Sequence, residues 1–166
     1  WKFIGYKKIM TPKRNSEFNN RPILAIDYGS KVIGLAKFTP GIDPFPLIIE
    51  RIIVKDTNQI LNELKKVIDE ECIEIVVIGV PFLTDGTATQ QSQKNIDFKN
   101  LMASTFLGLD FFLQDETLTT KEALDRMKNS PAFNFKVDMT KVDSVSAVII
   151  LEDFLNCPTS VGSFGD

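Results

Sequence analysis

Asp27, Asp115, Glu116 and Asp143 are the residues whose type and placement could do chemistry, in a chain of 166 residues that contains no histidine. Asp27 ends the apolar run Ile23-Leu24-Ala25-Ile26 and opens a Gly-containing turn. A carboxylate at the end of a buried strand is costly unless it is paired or holds a cation. Asp115-Glu116 follows a second strand-like run, and alternation along a strand lets only one of the two point with Asp27. Asp143 falls in the first turn of the last predicted helix, where negative charge suits the helix dipole. Ser146, Ala147 and Ile150 share its face, and the small ones let that helix press closely on a sheet.

Each acid alone has a plain structural explanation, as a turn residue, a solvated acidic bend or a helix cap. Together they fall at one end of one sheet. Hydrolysing a phosphodiester needs an activated water, a stabilised leaving alkoxide and neutralised phosphate charge, which two Mg²⁺ or Mn²⁺ ions roughly 3.5–4 Å apart supply. Such hard cations take oxygen ligands, so the absence of histidine is compatible with them while removing His-based triads. Zinc sites are disfavoured too, because the two cysteines, Cys72 and Cys157, lie far apart with no CxxC pair.

The elements that must position these acids follow from periodicity. Ile23–Ile26 and Val32–Phe38 read as a hairpin, and Leu47–Val54 as a third strand after a proline-rich loop. Asp56 and Gln59 start a helix to about Glu70 whose face carries Ile60, Leu61, Leu64, Val67 and Ile68. Ile73–Val80 is short and β-branched, as a buried central strand should be. A loop over Pro81–Thr89, a helix with Ile96, Leu101, Met102 and Phe106, and a strand over Leu109–Gln114 follow. Thr119 and Glu122 suggest a capping box for another helix, Asn129–Asp138 is irregular, and Thr140–Leu155 is the last helix. The order predicts an α/β fold: a five-stranded mixed sheet, three antiparallel strands then alternating strands and helices, flanked by helices in the RNase H-like arrangement.

The length suits one domain. Residues 1–20 carry a net charge of +4, leaving −7 on the remainder of a chain at −3. We expect a basic, flexible leader over 1–20, a nuclease domain over 21–157 and a flexible tail over 158–166. No apolar run is long enough to cross a bilayer, so no membrane association and a cytoplasmic location are expected, or an organelle if the leader is a targeting remnant.

Four segments resemble the YqgF/RuvX family. ILAIDYGSKVIGLA from Ile23, VVIGVPFLTDGT from Val76, DETLTTKEA from Asp115 and KVDSVSAVIIL from Lys141 are similar to its motifs in order. The resemblance implies a magnesium- or manganese-dependent site with Asp27, Glu116 or its neighbour Asp115, and Asp143 as catalytic carboxylates, and Asp27, Glu116 and Asp143 as metal ligands. It further implies Lys31, Thr84, Asp85, Thr87 and Lys141 as substrate contacts. The substrate would be nucleic acid, either a structured small-subunit (16S) rRNA precursor within pre-ribosomal particles or a Holliday junction, handled by a monomer or homodimer. Thr117 departs from the family, which usually has a basic residue there. Two rivals are a phosphotransferase of the actin and sugar-kinase type, for which the chain has no room, and a non-catalytic nucleic-acid- or ribosome-associated factor, which the acidic body favours.

Overall fold

A computed structural model of the chain describes residues 17–156. Strands Ile23–Tyr28 (β1), Val32–Phe38 (β2) and Leu47–Ile53 (β3) form an antiparallel meander. Ile75–Val80 (β4) pairs parallel to β1, and Asp110–Asp115 (β5) parallel to β4, giving the order β3-β2-β1-β4-β5. Helices are Thr57–Glu70 (α1), Gln90–Thr105 (α2), Thr119–Lys128 (α3) and Val142–Asn156 (α4), with a 3₁₀ turn at Pro131–Phe133. This is the expected RNase H-like mixed sheet.

Strand alternation divides the core into two. Leu24, Ile26, Val76 and Ile78 pack with Ile60, Leu64 and Ile68 of α1 and Phe98 and Met102 of α2. Ile23, Ala25, Ile75 and Val77 face Ile150, Leu151, Phe154 and Leu155 of α4. On α4's other side, Val145 and Ile149 meet Ala123 and Met127 of α3. A helix covered on both sides must be apolar nearly all round, as α4 is. Each large aliphatic side chain buried this way contributes about 1.5–3 kcal/mol.

The fully buried charge in α4 is Glu152, bonded at 2.5 Å to Arg126 of α3, which also reaches Glu122 at 2.9 Å. α1 starts as expected, with the Asp56 side chain accepting from Gln59 N at 2.8 Å. α3 does not. Its N-cap is Leu118 in the left-handed region (φ 63°) with no side-chain cap bond, and Thr119 N donates to Glu116 O, so the Thr119–Glu122 capping box is absent. β4 begins at Ile75 rather than Ile73, because Ile73 N still closes α1 on Ile68 O.

Residues 1–16 and 157–166 lie outside the described residues, and with them most of the expected leader, the tail and Cys157. The leader's end is not loose, however: Phe18 is buried and stacks on Phe154 with ring centroids 5.7 Å apart. Among the described residues, no helix is long and apolar enough to cross a membrane.

α4 sits close to the sheet because β2 carries Gly34 beneath its first turn. A Cβ at Gly34 would overlap the carbonyl of Asp143 and lie 2.8 Å from Ser144 N, both backbone atoms that cannot swing aside. Gly34→Ala should therefore cost about 3 kcal/mol, the upper part of the range for overpacking. Urea unfolding monitored by circular dichroism checks this, with a loss below about 0.5 kcal/mol, the scale of an ordinary surface substitution, counting against a tight contact.

Candidate active site

Asp27 lies on β1 opposite Gly34 of β2, and Gly34 underlies the backbone of Asp143, so the first and third acids meet over one glycine. Glu116 arrives from further away. It follows β5, which is separated from β1 by the whole width of β4, about 9–10 Å at two strand spacings. The β4 residue in the way is Gly79, one place beyond the Ile26–Ile78 pair. A Cβ there would stand 2.9 Å from Glu116 Cδ and 2.5 Å from Ile150 Cδ1. The missing side chain at Gly79 leaves a gap across which the longer glutamate reaches Asp27.

Asn95 of α2, fully buried, fixes the crossing: its amide donates to Gly79 O at 2.7 Å and sits 3.4 Å from Glu116 Oε1. Gln91, one turn earlier, donates to Asn95 Oδ1 at 2.7 Å. The start of α2 is tied to the end of β4 by the Thr89–Ser92 capping box and by Ser92 Oγ donating to Pro81 O.

Two desolvated carboxylates in contact cannot both ionise cheaply. Burial, the Asp27 charge and the hydrogen bond between them push Glu116 up to about 9, with smaller contributions from Asp115 and Asp143. Burial also raises Asp27, to about 6, against the lowering effect of the hydrogen bond from Glu116. The pair therefore holds a proton near neutrality, which Glu116 donates to Asp27. Asp143 is raised by burial too, opposed by the charge of Arg51, and its own charge is felt at both Asp27 and Glu116. Arg51 lies on β3 where the β2–β3 register shifts between Ile33 and Leu35, and such irregularities re-aim side chains.

The other expected residues divide. Asp115 turns away: its Oδ1 accepts from Thr117 N at 2.8 Å and Thr117 Oγ1 at 2.5 Å, an exposed turn that leaves Glu116 as the inward acid. Thr84, Asp85 and Thr87 form an exposed bend closed on itself, with Thr87 N donating to Asp85 Oδ1 at 2.9 Å. The Thr87 side chain, with that backbone bond second, holds Asp85 below the usual carboxylate range. The bend does not line the cleft onto which Asp27 and Glu116 open. Lys31 is exposed in the β1–β2 turn, and Lys141 lies before α4 with its ammonium 5.8 Å from the Phe133 ring centre. Neither lines that cleft, whose volume is about 310 Å³ and whose walls include Tyr28, Ser30, Phe82, Gln91, Leu118 and Thr120.

Among the described residues, no three of His, Cys, Asp and Glu stand ready as a metal-binding cluster. Asp27 and Glu116 are in contact, while Asp143 is near enough to act on them electrostatically. The donor set still suits a hard divalent cation: the acids supply only oxygens, and the first two face each other with only a proton between them. Ser146, one turn after Asp143, is buried with its Oγ unpaired among the described residues. Sequence reading missed Asn95, Gln91 and Arg51, although Gln91 and Asn95 stand four apart on one helical face.

A family model described as RuvX, Holliday junction resolvase, matches residues 21–157. A protein of Shewanella oneidensis named "Putative pre-16S rRNA nuclease" is 31% identical over 153 residues, covering 89% of this chain and 99% of its own. One of the same name from Rickettsia canadensis is 34% identical over 137 residues, covering 82% and 87%. The solved structure of T. thermophilus RuvC in complex with a Holliday junction substrate is 13% identical, with a TM-score of 0.49 over 78% of this chain and 91% of that one.

The raised acids set a pH dependence. Folded-state values above the ordinary 3.8 and 4.5 mean that the metal-free native state binds protons more tightly than the unfolded chain, so this contribution is lost as pH rises through about 6 and 9. In EDTA the melting temperature should fall between pH 5.5 and 8.5, and Asp27→Asn, which removes one charge and keeps an acceptor, should flatten that fall. Parallel wild-type and variant curves would contradict the half-buried pair.

Proposed function

The chain belongs to the RuvX family, and on that premise we propose that it is a divalent-metal-dependent endonuclease hydrolysing nucleic-acid phosphodiesters, with the 16S rRNA precursor as its substrate. The observation that carries this reading is the Asp27–Glu116 pair, two half-buried carboxylates brought together across a glycine gap at the floor of an open cleft. A pair of this kind weakens the metal-free fold near neutral pH, and strained, perturbed groups gather where function requires them. The substrate assignment draws on the names of the relatives.

Asp27, Glu116 and Asp143 would hold Mg²⁺ or Mn²⁺, whose chemistry here is activation of the attacking water and neutralisation of charge on the scissile phosphate. The protein's own part is positional. Asn95 orients Glu116 and lets it give up its proton without losing its place. Gly34 and Gly79 hold the backbone of α4 and the Glu116 carboxylate close to the sheet. Arg51 keeps Asp143 more acidic than burial alone would leave it. Tyr28, Gly29 and Ser30 on one side, and Thr117 to Thr120 on the other, form the rim past which a phosphodiester must enter.

With Mg²⁺ or Mn²⁺, the protein should cut a transcript spanning the 5′ end of the 16S precursor, and Asp27→Asn or Asp143→Asn should lower the rate at least a hundredfold with an unchanged circular dichroism spectrum. A four-way DNA junction assayed in parallel separates the two substrates. Wild type without activity on either, or activity that survives both substitutions, would overturn the assignment and favour a non-catalytic binding factor.

A further inference from the structure

The connection from α3 to α4 presents apolar and basic side chains together, directly before Asp143. Phe135 is 61% exposed and Met139 67% exposed, and Lys136 and Lys141 are exposed beside them. Residues 128–141 carry Lys128, Lys136 and Lys141 against Asp138, a net charge of +2 in a chain whose total is −3.

This presentation is built rather than loose. Ser130, buried, caps the 3₁₀ turn through Ala132 N at 3.3 Å, and its carbonyl accepts from Phe135 N at 3.1 Å. Lys136 N donates to Phe133 O at 3.0 Å. Phe133 and Val137 are tucked against the cluster of Val142 and Met127, so the two ends of this segment are anchored while Asn134, Phe135 and Lys136 between them face outward. Asp138 accepts from Thr140 N at 3.0 Å and Thr140 Oγ1 at 2.6 Å, which fixes the approach to α4.

The backbone at the tip is costly. Asn134 and Phe135 are both left-handed, at φ 52° and 58°, a region that asparagine tolerates and a bulky aromatic seldom enters. An exposed phenylalanine there gains little from folding and strains the chain, so asparagine would be the more stable choice. An exposed aromatic beside lysines is what a stacking platform for nucleic acid requires, since every base offers a π-face and its phosphates attract cations, and backbone strain kept at such a residue points to function.

We propose that the α3–α4 connection is a nucleic-acid contact surface in which Phe135 stacks on an unpaired base while Lys136 and Lys141 hold flanking phosphates. The inference rests on the nuclease reading above and adds a substrate preference to it: unpaired nucleotides beside the cut. The net charge of +2 here stands against the −7 carried by residues 21–166. Arg51, whose charge acts on both Asp138 and Asp143, extends the same edge.

The test is binding by fluorescence anisotropy in EDTA, where cleavage does not intervene, using an RNA hairpin with one bulged base and its fully paired counterpart. Phe135→Asn should bind the bulged hairpin about tenfold more weakly while the paired one changes little, and Phe135→Trp should restore binding. Lys136→Gln should lower the slope of log affinity against log salt by about 1 for both RNAs. Phe135→Asn should melt at or above the wild-type temperature, which a purely structural role would not give. Wild-type affinity in Phe135→Asn, with wild-type binding intact, overturns this proposal alone and leaves the patch to a protein partner. Failure of the wild type to bind either RNA or to cleave any substrate overturns the nuclease reading as well.

Discussion

A glutamate must cross one strand to meet an aspartate on the next, and most of this site follows from that requirement. β4 lies between the two acids, so its residue at the crossing has to be glycine, and the acid from β5 has to be the longer one. The helix above must also come down at the same point, where the Ile150 side chain already touches the space a Gly79 Cβ would fill. Glu116 rather than Asp115 is thus selected by reach as well as by direction. The shorter side chain closes a local turn on Thr117.

The rest of the fold keeps that crossing in place. β4, buried throughout, and the buried first four residues of β1 supply a stiff floor, with α1 and α2 on one face and α4 on the other. α2 contributes Asn95 from beneath, and α4 brings Asp143 over Gly34 from above. α3 covers α4, and the Arg126–Glu152 pair joins them across that contact. Burying charge at the centre costs stability, and the large two-sided core is what offsets it.

Much of this was legible in the chain. Strands and helices followed from β-branched runs and helical spacing, and the order of elements sufficed for the sheet, because short connections leave few topologies. The three acids were legible as strand-end and helix-start residues. What the pattern hid were effects of proximity between distant residues. Gly79 looks in sequence like an interruption of an apolar run, and only its neighbours reveal a passage for Glu116. Thr119 and Glu122 match a cap, yet Leu118 takes that position because the chain leaves Glu116 in a tight turn. The loop Thr84-Asp85-Gly86-Thr87 matches a substrate motif, yet it folds into an exposed bend, with Asp85 bonded to Thr87, that stands outside the cleft. Phe18 sits in a basic stretch, and nothing local signals its stacking on Phe154.

Catalysis as proposed requires that these acids share a divalent cation. Anomalous diffraction from crystals soaked in Mn²⁺ tests it most directly. A Mn²⁺ peak is expected in contact with Asp27 and Glu116, with Asp143 drawn toward it and the peak lost in Asp27→Asn. Peaks only at other acids, or an Asp27–Glu116 pair still sharing its proton in saturating Mn²⁺ at pH 8, would contradict it.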